Sequence, residues 1–535
     1  MRWIRPIRAR TEESAETLGA KAHGLVVLHR LGLPVPAGFV VTVEACRAFL
    51  RTGRLPDGLG GELATALGDL EAATGRRLGG ARAPLALSVR SGASVSMPGM
   101  MNTILNLGLT AEASAGLAAE TGDPRFALNS RLRFLSTFAS AIIGTDVEPG
   151  EALERKPRDD EARLIGAIEA VEDLLRRHGR TIPEDAGRQL ELAVETVFSS
   201  WDTPRAHTYR ELHDIPHDLG TAAIVQTMVY GNRDDRSGTG VAFSRDPGTG
   251  EDVPFGDVLF GRQGDDVVSG RSTTRPLREL ADREPAVWTA LIDALSRVEG
   301  HYRDACYVEF TFQTGELWLL QARPGRFTGA AAVRLATDLA DERVITRHEA
   351  LLRISPRHLH HVRTPRIAAS AQADILARGV GACPGVAVGR IATTTDAAVR
   401  MAVDGPVVLV RPETSPHDMR GLAAAAGIVT ARGGPASHAA VVARAMGKPA
   451  VVGVTGLTVD VASVGAGGRT VGEGTLVTID GTSGEVALGS PAVTTDTADA
   501  HLRRLLAWAD AVSGDHSERD EARRLNAAHA VLRPG

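Results

Sequence analysis

The stretch Thr430-Ala-Arg-Gly-Gly-Pro-Ala-Ser-His438-Ala-Ala-Val-Val-Ala-Arg-Ala-Met-Gly-Lys-Pro-Ala-Val-Val-Gly453 delivers one serine and one histidine from a Gly-Gly turn to the start of an apolar helix. An imidazole there sits where backbone N–H groups lack partners and the helix dipole is positive. Such a position stabilises an anion, so a phosphate carried on His438 is favoured where it forms. Arg432 adds a cation and the glycines allow close backbone approach. On local spacing alone, the plainer reading of a histidine that merely begins a helix stands beside this one. Ser437 is read as a helix cap or as a donor near the ring.

Arg-Gly-Gly-x-x-Ser-His-Ala-Ala-Val-Val-Ala-Arg resembles the phosphohistidine signature of the pyruvate, phosphate dikinase family, which includes phosphoenolpyruvate synthase and enzyme I of the phosphotransferase system. Val408-Leu-Val-Arg-Pro-Glu-Thr-Ser-Pro-His-Asp418 is similar to the dikinase version, and the likeness runs from Lys21 to about residue 490. The resemblance implies that His438 attacks the β-phosphate of ATP, giving AMP and a pyrophosphorylated histidine. Inorganic phosphate then removes the terminal group as pyrophosphate, and the remaining phosphohistidine passes to pyruvate to make phosphoenolpyruvate. Arg432 and Ser437 match catalytic-loop positions. Ala436 stands where relatives carry a threonine that plants phosphorylate for control, so that control is not expected here.

A chain of 535 residues exceeds one core and predicts three or four domains. A net charge of −5 offers no footprint for nucleic acid. Cys46, Cys306 and Cys383 are scattered without metal-ligand or disulfide spacing, which fits a reducing cytoplasm. No apolar run reaches the length of a membrane span, and the basic start leads into Thr11-Glu-Glu-Ser rather than the apolar core of a signal peptide. The expected architecture is a multidomain α/β chain. It begins with an ATP-grasp-like nucleotide-binding domain over 1–328, with a helical subdomain at about 111–200. A polar helical linker follows over 329–376, then a swivelling β/β/α phosphohistidine domain over 377–490, and a C-terminal helix with a loosely held charged tail over 491–535.

Short-range patterns support this outline. Glu161 to Arg177 carries the i, i+3, i+4, i+7 apolar spacing of an amphipathic helix. Strands are expected at Leu85–Arg90, Ala223–Val229, Gly240–Ser244, Tyr307–Phe312 and Leu317–Ala322, the last two joined by a hairpin turn at Gln313–Glu316.

Several first-half pieces fit a nucleotide site. Gly19-Ala-Lys21 opens a helix whose lysine, taken alone, reads as a surface charge. Arg90 closes a buried strand where α/β sites form. Ser96-Met-Pro-Gly99-Met-Met-Asn resembles the dikinase loop that covers the phosphates. Glu309 lies on a strand next to one bearing Gln321 and Arg323, so alternation can aim all three at one point. By resemblance, Lys21, Arg90, Gly99, Asp265, Glu309, Gln321 and Arg323 are the ATP-binding set, and Glu309 with Gln321 would hold Mg²⁺. One position departs: relatives read Asp-x-Glu, whereas this chain reads Tyr307-Val-Glu309. A phenol with a pKa of about 10 is a poor Mg²⁺ ligand at neutral pH. His358-Leu-His360-His361 is read as connector rather than metal site, lacking a convergent acidic partner. Asp404, Glu413 and Asp418 are read as solvated loop or cap residues.

The pyruvate-binding (β/α)₈ barrel of the dikinases needs about 250 residues, and none is legible after residue 490. The leading reading is therefore an ATP-dependent phosphotransferase that phosphorylates its own His438. ATP and phosphate would be its partners, and pyruvate or phosphoenolpyruvate would be met through a separate barrel protein. Neither a nucleic acid nor a membrane partner is expected, and a homodimer is compatible with the pattern. A degenerate nucleotide-binding paralogue, or a phosphotransferase acting on a small antibiotic-like molecule, are the alternatives.

Overall fold

The computed structural model describes residues 2–95, 97, 100–144, 160–212, 214–264, 266, 274–325, 327, 329–360, 362, 365–368, 373–435, 437–495 and 500–533. The chain is a multidomain mixture of helix and sheet and divides into two compact units. The first holds residues 1–234 and 318–322; the second holds 235–317 and 323–535.

The first unit is built on an antiparallel sheet of β1 (Ile4–Pro6), β2 (Gly38–Val41), β3 (Leu87–Gly92), β4 (Thr103–Leu107) and β5 (Ala222–Thr227), in the order β1-β2-β5-β3-β4. Its apolar residues, among them Val41, Leu87, Val89, Ile104 and Val225, join one core with Phe134, Phe138, Ile168, Leu175, Val194 and Phe198 from the helical segment. The amphipathic spacing noted above becomes the helix Asp160–Arg177. Helix starts are fixed by aspartates: Asp123 accepts from the Phe126 N–H ahead of Pro124–Ile143, and Asp185 from the Arg188 N–H ahead of Ala186–Ser199. Gly19 has a positive φ of 77°, and a Cβ there would fall 1.6 Å from the Gly92 carbonyl oxygen. Only glycine lets the helix Ala20–Arg30 press this closely on the end of β3.

The second unit starts with β6 (Gly238–Phe243), β7 (Phe255–Phe260), β8 (Arg275–Pro276) and β9 (Cys306–Gln313), ordered β8-β7-β6-β9. β9 leads into β10 (Glu316–Pro324) through Thr314 and Gly315, both at positive φ, a tight hairpin connection. Arg245, just beyond β6, is only 2% exposed in its side chain. It donates to Glu299 at 2.8 Å and to Glu342 at 2.6 Å. Both carboxylates lose their cation if Arg245 is removed. Arg245→Met is therefore expected to lower stability by about 3 kcal/mol, the low end for breaking a buried pair because Glu342 keeps some water. A urea melt of the two proteins reads this directly; an unchanged midpoint would contradict it.

Residues 375–488 form an eight-stranded sheet: β11 (Ile375–Arg378), β12 (Val380–Cys383), β13 (Val386–Ala392), β14 (Val407–Arg411), β15 (Gly427–Thr430), β16 (Ala450–Val452), β17 (Leu476–Asp480) and β18 (Glu485–Leu488). They lie in the order β11-β18-β17-β13-β14-β15-β16-β12. The central run β13-β14-β15-β16 is parallel, and its last three strands are almost wholly buried, as parallel strands covered on both faces are.

Two sequence readings change here. The segment after residue 329 is helical, at Gly329–Asp341, Arg347–Arg353 and Pro356–His360, as expected, but its helices are not polar throughout. Its Val333, Leu335, Leu339, Leu351 and Leu359 share a core with Leu502, Leu505, Leu506, Trp508, Leu525 and Ala528. The charged tail is likewise packed rather than loose, since the helix Glu521–Leu532 buries Leu525 and ties Arg524 to Asp510. Charged residues on one face of each short helix concealed the apolar stripe on the other.

Candidate active site

His438 is the first residue of the helix His438–Met446, with Ser437 at the N-cap. The preceding loop is laid against the end of β14: the Ala431 and Arg432 N–H groups donate to the carbonyls of Arg411 and Pro412 at 3.0 and 2.8 Å. This ladder brings in Thr414, whose Oγ1 lies 3.0 Å from His438 Nδ1. Nε2 is buried and has no hydrogen-bond partner among the described residues. The ring is 9% exposed, and burial pushes its pKa down to about 4 against a small opposing pull from Asp418. A neutral imidazole with Nδ1 engaged and Nε2 free is the form that attacks phosphorus without prior deprotonation.

Thr414 was not singled out by the sequence reading. It lies 24 positions before the histidine, and no local spacing links the two. Asp418, read as a solvated loop or cap residue, is a cap but not solvated: it is 6% exposed and accepts from Ser415 N in a capping box, from Ser415 Oγ and from Thr395 Oγ1, with Arg411 Nε 3.3 Å away. It fixes the turn that presents Thr414. Glu413 forms an ion pair with Arg432, which is 45% exposed. A phosphoryl group reaching Arg432 has to compete with that carboxylate. Ser437 holds the cap position, but among the described residues its side chain makes no capping bond, and its buried Oγ has no partner.

The first unit gathers three of the expected nucleotide residues. Lys21 sits in the helix that Gly19 presses onto β3, and Gly24 of the same helix packs against the carbonyl of Ala322. Arg90, on β3, donates from Nη2 to Gln226 Oε1 at 2.6 Å and to the Leu320 carbonyl at 3.2 Å. Gln321, the next residue, is 6% exposed, and its Oε1 has no hydrogen-bond partner.

In the second unit, Glu309 lies on β9 and Arg323 on β10. The departing Tyr307 donates its hydroxyl to Glu309 Oε1 at 3.1 Å, and the Arg323 guanidinium stacks 4.2 Å over its ring. Burial, followed by the Glu309 charge, pushes the phenol well above its ordinary pKa. Glu309 and the orphaned Gln321 Oε1 are hard oxygen donors of the type Mg²⁺ takes. Among the described residues, no group of three or more His, Cys, Asp or Glu could hold a metal ion. Gly99, Asp265, Ala436 and His361 lie outside the described residues.

Comparison with known proteins bears on this geometry. Residues 52–287 match the pyruvate phosphate dikinase AMP/ATP-binding domain, and residues 403–484 match the mobile domain of PEP-utilising enzymes. The chain is 40% identical over 532 residues to pyruvate, phosphate dikinase of Rhizobium meliloti (strain 1021), covering 93% of this chain and 59% of that protein. The chain belongs to the pyruvate, phosphate dikinase family. The Giardia intestinalis dikinase is 42% identical, with 94% of this chain and 59% of the relative covered, and the Zea mays pyruvate, phosphate dikinase 2 is 41% identical, with 96% and 61% covered. The chain thus spans about three fifths of the length of these dikinases. His438 and Thr414 fall inside the mobile-domain match, and Arg90 inside the AMP/ATP-binding match. No helix among the described residues is long and apolar enough to cross a membrane.

Proposed function

We propose that this chain is a dikinase-type phosphotransferase that moves phosphoryl groups from ATP to His438. The observation that carries the reading is the buried His438, neutral at physiological pH, with Nδ1 facing Thr414 and Nε2 unpartnered at a helix N-terminus. An ATP-grasp-like domain over 1–328 would bind the nucleotide. Residues 329–376 would connect it to a mobile phosphohistidine domain over 377–490.

In this reading Lys21, Arg90 and Arg323 supply cations to the phosphates, with Gly99 and Asp265 in the surrounding loops. Gln321 and Glu309 offer oxygens to Mg²⁺, which when bound would screen the phosphate charges that oppose attack. His438 Nε2 displaces AMP from the β-phosphorus, while the proton stays on Nδ1, which donates to Thr414 Oγ1. Arg432 exchanges Glu413 for the incoming phosphoryl oxygens, and the N-terminal N–H groups of the helix add to their stabilisation. Inorganic phosphate and pyruvate complete the cycle in the dikinases that this chain resembles. The pyruvate step would need a barrel domain in this or another chain. Compartment and assembly are expected to be a cytoplasmic homodimer.

A single-turnover mix with ATP and Mg²⁺ tests the reading, which expects AMP release stoichiometric with protein before pyruvate is added. Nucleotide that stays bound as ATP would favour a regulatory paralogue instead. The pH dependence has a defined sign. Because the His438 pKa is depressed to about 4, the free base is present through the neutral range. The rate is expected to be level from about pH 8 to about pH 5 and to fall below about pH 4 with a single proton. A midpoint near the ordinary histidine value of about 6.5 would contradict the burial of the ring.

A further inference from the structure

Tyr307 lies at a junction in the second unit that the reaction outlined above does not use. Its ring meets Phe243 edge-on, with centroids 5.1 Å apart, and Arg323 covers its face. Arg444 approaches Phe243 with its guanidinium carbon 5.9 Å from the ring centre. Arg444 lies six residues along the helix that His438 begins, roughly 9 Å down its axis at 1.5 Å per residue. It also donates to the carbonyls of Ala382 at 3.0 Å and Pro435 at 2.6 Å, so one side chain ties the aromatic pair to the loop in front of His438.

A second approach lies beside it. A Cβ on Gly434 would meet Asp257 Oδ1 and Thr274 Oγ1, each at 2.5 Å. Gly434 is not in the left-handed region, so its backbone does not call for glycine; the neighbours across the contact do. The Arg444 pKa is lowered to about 10, chiefly by burial, and its charge is felt by Tyr307, Arg323 and Asp257. These are the surroundings of a cation enclosed between two surfaces.

We propose that Phe243 and Tyr307 form an aromatic seat for Arg444, making Tyr307 a positioning residue that holds the His438 helix against the strands carrying Glu309 and Arg323. The hydroxyl bond to Glu309 orients the ring, while the ring itself provides the seat. This inference rests on the reading that His438 receives the phosphoryl group, but the contact can be measured without any turnover.

The test is the rate at which diethyl pyrocarbonate modifies His438 in the full chain without nucleotide, followed by mass spectrometry of its peptide, with exposed His516 as internal standard. Tyr307→Ala and Gly434→Ala are each expected to speed modification about thirtyfold, the scale of a desolvated cation–π contact. The double variant should be no faster than the singles, because both release one docked state. Tyr307→Phe should match the parent, since it keeps the ring. Unchanged rates in both alanine variants, multiplicative effects in the double, an equal rise at the core-side His29, or a Tyr307→Phe protein that behaves like Tyr307→Ala would each overturn the seat. In parallel, Tyr307→Ala should slow AMP release from ATP with little change in the KM for ATP. If the parent itself releases no AMP, the phosphotransfer reading fails while the modification rates still decide the seat.

Discussion

His438→Ala is expected to remove ATP-derived phosphoryl transfer almost entirely, by at least about 10³-fold, the scale on which loss of a covalent nucleophile is felt. Among the described residues of the catalytic loop, none is placed to replace it. Ser437 Oγ is buried and meets no base, and Thr414 is engaged with the ring it supports. Nucleotide binding should survive, because the substitution leaves Lys21, Arg90, Gln321, Glu309 and Arg323, the residues assigned to the nucleotide, untouched. The upward shift of the melting temperature by ATP is therefore expected to be the same in the variant and the parent. A variant that keeps its AMP release would move the chemistry away from His438. One that loses the thermal shift as well would make the ring a structural element.

Thr414→Val is expected to slow transfer by about 10- to 100-fold, the range seen when the partner that orients a functional histidine is removed. Valine has the shape of threonine but cannot pair with Nδ1. The proton is then free to move to Nε2, where it blocks the attacking lone pair, and the ring loses its fixed rotation. Thr414→Ser, which restores the hydroxyl, should recover most of the rate. The affinity for ATP, read from the thermal shift, should be unchanged in both. Equal rates in the valine variant and the parent would show that the 3.0 Å contact does not set the tautomer.

How much of this was legible in the sequence depends on whether a residue acts through its neighbours in the chain or through the fold. The Gly-Gly turn, His438 and its helix were legible because turn, cap and apolar run are contiguous. The strand pair carrying Glu309 and Arg323 was legible from alternation around Thr314-Gly315. Thr414 was not, because only the pairing of the Arg411–Pro412 backbone with the Ala431–Arg432 backbone brings it to the ring. Asp418 looked solvated because its loop is polar, yet Ser415, Thr395 and Arg411 satisfy its carboxylate inside the fold. The helices after residue 329 looked like a polar connector because their buried partners, Leu502 to Ala528, lie more than 130 residues further along the chain. Tyr307 could be recognised as a departure from the family pattern, but its role required seeing Phe243 and Arg444 beside it.

The most direct measurement is to incubate the intact chain with Mg²⁺ and ATP labelled in the β-phosphate, digest it at alkaline pH, and locate the label by peptide mapping. Label that is stable in base, lost in acid, and confined to the peptide containing His438 is the predicted result. Label on any other residue, or an unlabelled chain that still binds ATP, would contradict phosphoryl transfer to this imidazole.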